Sequence, residues 1–348
     1  MSVPRLAVIG TGWWATTAHL PSLVDYDGAE LVAVCDARAD RARVVAERFG
    51  VRHSFNDVSA LVAAGLVDGV IVATPHTSHH EVARAALDAG LHVLVEKPLT
   101  TSASDAWELV AVAESAGLHL AAGYTYQHTR TAGFVQRAVR EEIGELVCVA
   151  AEFASGTVTL FAGTEDPSTA TEPHPLTYSD PANAGGGQGH AQVTHLMGMV
   201  LWATGRQVEE VSCYLDHRGL AVDVADAMAF RFVGGGLGTV TSTGTAVGGQ
   251  PPHQRIRYYG TNGSLEQDLL SARATLYRGD GTSISSEPAV GEPAYPTYAP
   301  ARCFADLLSG RGPNLAPGRP AAATTAFLDA AYRSAASGAP QRVHARMG

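Results

Sequence analysis

Two stretches of this chain combine residue types and spacing that could do chemistry: Gly10-Thr11-Gly12-Trp13-Trp14-Ala15 and Glu96-Lys97-Pro98. The first is a G-x-G-x-x-A turn that follows the apolar run Leu6-Ala7-Val8-Ile9. Gly10 allows a tight exit from the strand, Gly12 lets a pyrophosphate reach the backbone, and Ala15 lets the next helix pack closely on the sheet. The phosphates then sit on free N–H groups at a helix N-terminus, where the dipole favours negative charge. The run Leu31-Val32-Ala33-Val34-Cys35 delivers Asp36 somewhat beyond the usual spacing of about 20 residues from the glycines. A carboxylate there accepts from both ribose hydroxyls and repels a 2′-phosphate. The expected cofactor is therefore NAD, with NADP the lesser alternative because Arg38 is of the type that accommodates that phosphate. The bland reading of the same residues is a glycine turn and a charged strand end with no ligand.

Glu96-Lys97 follows the run Val93-Leu94-Val95, at the strand end where a parallel sheet places its ligands. A lysine partly desolvated there has a lowered pKa and can exchange a proton with a hydroxyl or hold it in place. The competing reading is a surface lysine paired with Glu96.

Such residues need a sheet to position them, and the first third of the chain alternates strand and helix. Asp40 to Phe49 reads as a helix closed by Gly50, and Asn56 is expected to cap another that runs to Ala64. Val70 to Ala73 is a buried type of strand ended by Thr74-Pro75, and His79 to Ala89 is a helix stopped by Gly90. Ser102, with Asp105 three residues on, opens a helix that Gly117 closes, and Leu118 to Ala122 is one more strand. This rhythm predicts an α/β domain with a doubly wound parallel sheet. After Gly123 the pattern changes, which places a nucleotide-binding domain at 1–123 and a substrate-binding and oligomerisation domain at 124–348, the C-terminal helix being able to pack back on the first domain.

In the second part, Phe134 to Ile143 reads as a helix, and strands are expected at Leu146–Phe153, Val208–Leu215, Ala227–Val233, Leu237–Ser242, Gln254–Tyr259 and Ser264–Asp268. Thr261-Asn262-Gly263 is a hairpin turn between the last two. Gly185-Gly186-Gly187 leads into a helix ending near Trp202, residues 280–300 read as a long loop, and helices at Ala301–Leu308 and Ala321–Ala336 close the chain. The expectation is an α+β domain with a mostly antiparallel open sheet and helices on one face. A twin subunit would cover the other face in a homodimer or homotetramer.

Composition narrows the function. With 46% apolar and 17% charged residues over 348 positions, the chain is globular and long enough for two cores. A formal net charge of −10 without a dense basic cluster argues against nucleic acid as a partner. Cys35, Cys148, Cys213 and Cys303 are widely separated and suggest neither a zinc site nor a disulfide framework. No apolar run approaches a membrane span, so a cytoplasmic protein with no membrane partner is expected.

Three separated motifs, Ile9 to Ala15, Ala73-Thr74-Pro75 with His79, and Val95-Glu96-Lys97-Pro98-Leu99, resemble those of the glucose-fructose oxidoreductase / inositol dehydrogenase (Gfo/Idh/MocA) family. Weaker matches are Gly123-Tyr124, the triple glycine followed by His195, Tyr259 to Ser264, and Tyr332-Arg333-Ser334-Ala335. The resemblance implies a Rossmann domain binding NAD or NADP and oxidation or reduction of a secondary hydroxyl on a sugar or cyclitol. It implies a cis peptide before Pro98, fixing the direction of Lys97. It places Gly10, Thr11, Gly12, Trp13, Trp14, Asp36, Arg38, Thr74, Pro75, His76, His79, Glu96 and Lys97 around the cofactor, with plain helix packing the alternative for Trp14.

The same resemblance makes Lys97 and His195 the acid/base pair, with a packed or substrate-binding histidine the alternative for His195. Many relatives carry Asp four residues before that histidine, where this chain has Ala191. At about 100° per residue the two positions share a helix face, so an Asp would orient the imidazole and alanine cannot. Gln192 is about 60° from His195 and offers an amide, whereas His190, about 140° away, faces elsewhere. Gln127 stands where many relatives have Arg, which points to a neutral substrate. Tyr124, Tyr126 and His128 are candidates to stack on a sugar ring, or else packing residues. No histidine spacing suggests a metal. Three readings follow: an NAD-dependent oxidoreductase on a sugar, cyclitol or glycoside; a redox-neutral glycoside cleavage by transient oxidation and elimination; and a catalytically silent NAD-binding regulatory protein.

Overall fold

A computed structural model describes residues 3–164, 173–247 and 250–344, which fall into two compact units. The first is built on a six-stranded parallel sheet of β1 (Arg5–Ile9), β2 (Glu30–Cys35), β3 (His53–Phe55), β4 (Gly69–Val72), β5 (His92–Val95) and β6 (Leu120–Ala122), in the order β3-β2-β1-β4-β5-β6. The chain winds outward from β1 in both directions, so the crevice beyond the C-terminal ends of β1 and β4 is the switch point at which such sheets bind ligands. Register does the positioning. Ile9 is level with Cys35 and Val72, Val72 with Val95, and Val95 with Ala122. The residues that follow these strands, Gly10, Asp36, Ala73, Glu96 and Gly123, therefore form one row along one sheet edge.

Strand alternation sends side chains to both faces, and both are buried. Ile9, Val70, Val72, Val93 and Val95 pack under helices Val58–Ala63, His79–Asp88 and Ala103–Ser115. Leu6, Val8, Ile71 and Leu94 pack under Leu20–Val24, Ala39–Phe49 and Ala299–Leu308, the last from a segment, Thr297–Ala322, that belongs to this unit. Two details differ from the sequence reading. Asp57, not Asn56, caps the helix at Val58–Ala63, its carboxylate accepting from the backbone N–H groups of Ser59 and Ala60. β3 was not expected, because His53-Ser54-Phe55 is short and half polar.

The second unit is organised around a nine-stranded sheet of β7 (Leu146–Ala154), β8 (Val208–Asp216), β9 (Ala225–Phe232), β10 (Leu237–Thr243), β11 (His253–Gly260), β12 (Gly263–Asp268), β13 (Arg273–Arg278), β14 (Ser283–Ser286) and β15 (Gln341–Arg342). The order is β14-β13-β12-β11-β7-β10-β9-β8-β15, antiparallel except where β10 runs parallel to β7. Helices Arg130–Glu141 and Thr194–Thr204 and the later turns of Gly318–Ser337 cover one face through Val135, Leu196, Val200 and Phe327. The opposite face leaves Val147, Tyr214, Leu237, Tyr259 and Tyr277 exposed. β14 corrects the reading of residues 280–300 as a loop: its Ile284 pairs with Leu276 of β13 across a turn, and the serines of β14 hid the strand.

Among the described residues no helix is long and apolar enough to cross a membrane. The four cysteines are unpaired thiols, and burial beside Asp36 pushes the Cys35 thiol up to about 11.

Candidate active site

The glycine turn sits at the head of β1 with each glycine doing a different job. Gly10 has φ +88° and lies so close to β4 that a Cβ would come within 2.5 Å of the Ala73 carbonyl oxygen. A Cβ on Gly12, by contrast, would meet nothing within 4 Å. The open space a phosphate needs is thus above the second glycine, as the sequence pattern requires. Thr11 points inward, and its N–H and hydroxyl donate to Asp36 Oδ2 at 2.9 and 2.7 Å. The Arg38 N–H donates to Asp36 Oδ1 at 3.0 Å. The carboxylate is thereby aimed by three donors and keeps lone pairs for hydroxyl groups. Arg41, which sequence reasoning missed, ties its Nε to the Thr11 carbonyl at 2.9 Å and lies 4.0 Å from Asp36; its three-residue offset from Arg38 on a helix was the available signal.

At the head of β5, Glu96 is buried, and three stretches converge on it. Trp14 Nε1 and His19 Nε2 each lie 2.9 Å from Oε1, and the Lys97 N–H donates to Oε2 at 3.1 Å. Trp14 and His19 flank a widened helical turn, Ala15–His19, closed by a bond from Leu20 N–H back to the Ala15 carbonyl, five residues earlier. Gly123 is glycine because a Cβ would stand 2.5 Å from Glu96 Oε1. Burial pushes the Glu96 carboxyl up, but the His19 hydrogen bond and the charges of His19 and Lys97 outweigh it, and the group is held below the usual range. Lys97, partly buried, is lowered by desolvation against the opposing pull of Glu96. The Lys97–Pro98 peptide is cis.

Thr74 and His79 act within the loop. His79 is buried with Nδ1 2.8 Å from the Pro98 carbonyl and Nε2 3.0 Å from the Thr74 carbonyl. Each ring nitrogen faces a backbone carbonyl, so His79 ties the loop at Thr74 to the turn at Pro98. Burial lowers its pKa. His76 packs edge-on to it at 5.7 Å, and Pro75 precedes the short turn His76–Ser78. Tyr124 is a buried member of the apolar cluster around Val93 and Val95 rather than an exposed stacking surface.

In the second unit the helix that carries His195 also begins with a widened turn, Gly189–Val193, closed by Thr194 N–H on the Gly189 carbonyl. Wide turns advance less than about 100° per residue, so the facing expected between positions 191 and 195 is lost. Ala191 packs with Phe161, Val222 and Val224 instead, where a carboxylate would be buried among apolar side chains. Gln192 is partly exposed, and buried His190 lies 4.7 Å from the Tyr332 ring, with burial pushing its pKa down to about 4. The His195 ring is edge-on to Tyr126 at 5.6 Å and to Tyr295 at 6.3 Å, and the two tyrosines are 4.7 Å apart. Tyr295 was missed because it lies in a Pro-rich segment without periodicity. His128 is half-buried, and desolvation of its ring pushes its pKa down to about 4. Gln127 Nε2 donates to the Gly198 carbonyl at 3.0 Å, a strut inside this unit.

The triple glycine has a packing reason. A Cβ on Gly186 would stand 2.3 Å from Tyr332 Oη, and one on Gly187 would stand 2.0 Å from the Asp223 carbonyl oxygen. The Asp223 side chain accepts from Gly187 N–H, Gly189 N–H and Tyr332 Oη at 2.8, 2.8 and 2.9 Å, fixing the start of the His195 helix.

Comparison with known proteins agrees with this geometry. The model described as oxidoreductase family, NAD-binding Rossmann fold matches residues 4–124, and the GFO/IDH/MocA C-terminal domain matches 135–266. Myo-inositol 2-dehydrogenase of Thermotoga maritima is 30% identical over 274 residues, 76% of this chain and 75% of that one. The chain belongs to the Gfo/Idh/MocA oxidoreductase family. D-apiose dehydrogenase of Paraburkholderia graminis is 34% identical over 135 residues, 39% of this chain and only 36% of that enzyme's length. An oxidoreductase domain protein from Kribbella flavida superposes with a TM-score of 0.83 at 23% identity, covering 99% of this chain and all of that one, and levoglucosan dehydrogenase with NADH gives 0.80 at 19%, covering 98% and 99%. Both show the fold.

As a Gfo/Idh/MocA protein the chain binds NAD, and its first unit fits that group: clear space above Gly12, a cradle closed at Gly10, and Asp36 aimed by its donors. Away from this edge, His80, Asp105 and Glu108 bring ligand atoms within 4.8 Å of one another, a grouping of two helices that sequence spacing did not reveal. Arg84 already forms an ion pair with Glu108, and the group is solvent-facing.

Proposed function

We propose that the protein transfers a hydride between NAD and a secondary carbinol carbon of a sugar, cyclitol or glycoside, with Lys97 and His195 handling the hydroxyl proton. The observation that carries this reading is that Lys97 is the only lysine among 24 lysine and arginine residues. Arginine does not give up its proton in a protein, whereas a desolvated lysine does. The one lysine, its amine lowered by desolvation, therefore follows the strand end at the ligand-binding edge of the first sheet. NAD supplies the hydride acceptor. In the oxidative direction the carbinol C–H bond breaks as its electron pair leaves, and the O–H proton passes to a base, for which the lowered Lys97 amine is suited. Tyr295, partly exposed beside His195, offers an apolar face of the kind on which pyranose rings stack.

The names of relatives support the substrate class: myo-inositol 2-dehydrogenase, D-apiose dehydrogenase and, in Escherichia coli, D-glucoside 3-dehydrogenase. Ala191 in place of an acid favours keeping the redox-neutral cleavage of a glycoside as the second reading. Incubation with NAD and a panel of sugars, inositols and glycosides, followed by nicotinamide absorbance and product analysis together, separates them. Steady NADH accumulation that Lys97→Ala abolishes supports the dehydrogenase, and product without NADH supports the cleavage. Nucleotide binding with neither, unchanged in Lys97→Ala, leaves a silent regulatory protein. The apolar residues on the open sheet face further support a second copy of this chain as partner, which light scattering tests.

A further inference from the structure

We propose that His19 is a positioning residue for Lys97 that acts through Glu96. The residues lie in one unit, on three segments that converge on this carboxylate. His19 is completely buried, its Nε2 is 2.9 Å from Glu96 Oε1, and Trp14 Nε1 donates to the same oxygen at 2.9 Å. An ionised carboxylate only accepts, so the hydrogen of this contact is on His19 Nε2. Oε2 accepts from the backbone N–H of Lys97, the residue whose side chain is in question. Gly123 leaves no side chain where this carboxylate sits. A carboxylate removed from water holds its charge only when donors replace the hydration it lost, and His19 and Trp14 are those donors.

The consequence for Lys97 follows from sign. Desolvation favours the neutral amine and the charge of Glu96 favours the ammonium. Lys97 in turn acts on His79, from the helix His79–Asp88, whose pKa is lowered, chiefly by burial. The proton on Lys97 therefore depends on Glu96 staying ionised, and Glu96 stays ionised because His19 donates to it. Removing that donor lets burial raise the carboxyl, and the amine then loses its proton at lower pH.

The inference rests on the reading of Lys97 as the proton-handling residue, yet its test does not need turnover. Because Lys97 is the only lysine, its acetylation by acetic anhydride as a function of pH, resolved from the N-terminal amine by peptide mass, reports its ionisation directly. His19→Leu should move the midpoint down by about one pH unit, equal to about tenfold faster labelling at a fixed pH below it. His19→Gln, whose amide places a donor near the position of Nε2, should restore the native profile. Trp14→Phe removes the companion donor and should shift the profile in the same direction, which keeps the test usable if His19→Leu does not fold. An unchanged or upward-shifted midpoint in His19→Leu, or equal shifts in the Leu and Gln variants, would overturn the proposal. If Lys97→Ala keeps full turnover while the His19 shift is seen, the functional reading fails and this inference stands; the reverse pattern sinks only the inference.

Discussion

Asp226 lies near Asp223 in the interior of the second unit, and both carboxyl groups are buried. Burial and the Asp223 charge raise the Asp226 pKa well above its ordinary value, so burial holds Asp226 toward its protonated form. Asp226→Asn, a neutral side chain of the same shape as the protonated acid, should therefore match the native protein within about 1 kcal/mol below about pH 3.9 and be the more stable of the two at pH 7. A carboxyl raised in the folded state contributes stability in full below about pH 3.9 and loses it as pH rises toward the raised value. The Asn variant should thus gain on the native protein as pH increases. Asp223→Ala removes the acceptor of Gly187, Gly189 and Tyr332, and each orphaned buried donor costs about 1–3 kcal/mol. A Tm close to native for Asp223→Ala would show that this carboxylate does not hold the helix start.

Gly12 and Gly187 separate binding from packing. An added methyl meets open space at Gly12, so Gly12→Ala should keep the native Tm without nucleotide and weaken NAD binding by tenfold or more, measured by calorimetry. At Gly187 a Cβ would stand 2.0 Å from the Asp223 carbonyl, and backbone cannot yield as a side-chain tip can. Gly187→Ala should cost several kcal/mol of stability. NAD affinity unaltered in Gly12→Ala would place the phosphates elsewhere.

Asp36 is aimed by Thr11 and Arg38 before any ribose arrives, which lowers the cost of ordering it on binding. Asp36→Ala should reduce NAD affinity by about two charge-assisted hydrogen bonds, of order 2–4 kcal/mol. It should also free Thr11 and narrow the difference between NAD and NADP. Unchanged affinity for NAD in this variant would remove Asp36 from the ribose site.

The parallel sheet was legible because its strands are unbroken apolar runs and its helices end on glycine, signals set by backbone conformation alone. β3 and β14 were not, since serine and histidine mask strands whose place is decided by neighbours. The same division holds at the site. Gly10, Gly12, Asp36 and Lys97 declare themselves by spacing along the chain, whereas His19 and Asp223 act across gaps of 77 and 36 residues and carry no local signal. Positions 190–195 were misread for a third reason: the angular argument assumed an ordinary helix, and the turn at Gly189–Val193 is wider.

Four histidines make acid stability a sharp test of the interior. Burial lowers the pKa of His79, His92, His128 and His190, the last two down to about 4, and His92 in addition accepts the His119 N–H on Nδ1 at 3.0 Å, which protonation would abolish. In the unfolded chain a histidine titrates near pH 6.5. A histidine lowered in the folded state binds its proton only on unfolding, so its contribution is intact above about pH 6.5 and is lost as pH falls through the folded value. Near pH 5, His128 and His190 should each add about 1.4 kcal/mol per pH unit to the slope of unfolding free energy. Asp68 and Glu96, held below the usual carboxylate range, lose their contributions only at more acidic pH, so the two windows are separable. Urea unfolding from pH 7 to 4.5 should show stability falling across that range, and His128→Phe should flatten the fall by about one proton. A variant with the native slope would mean that His128 is already protonated, and hence hydrated, in the folded protein.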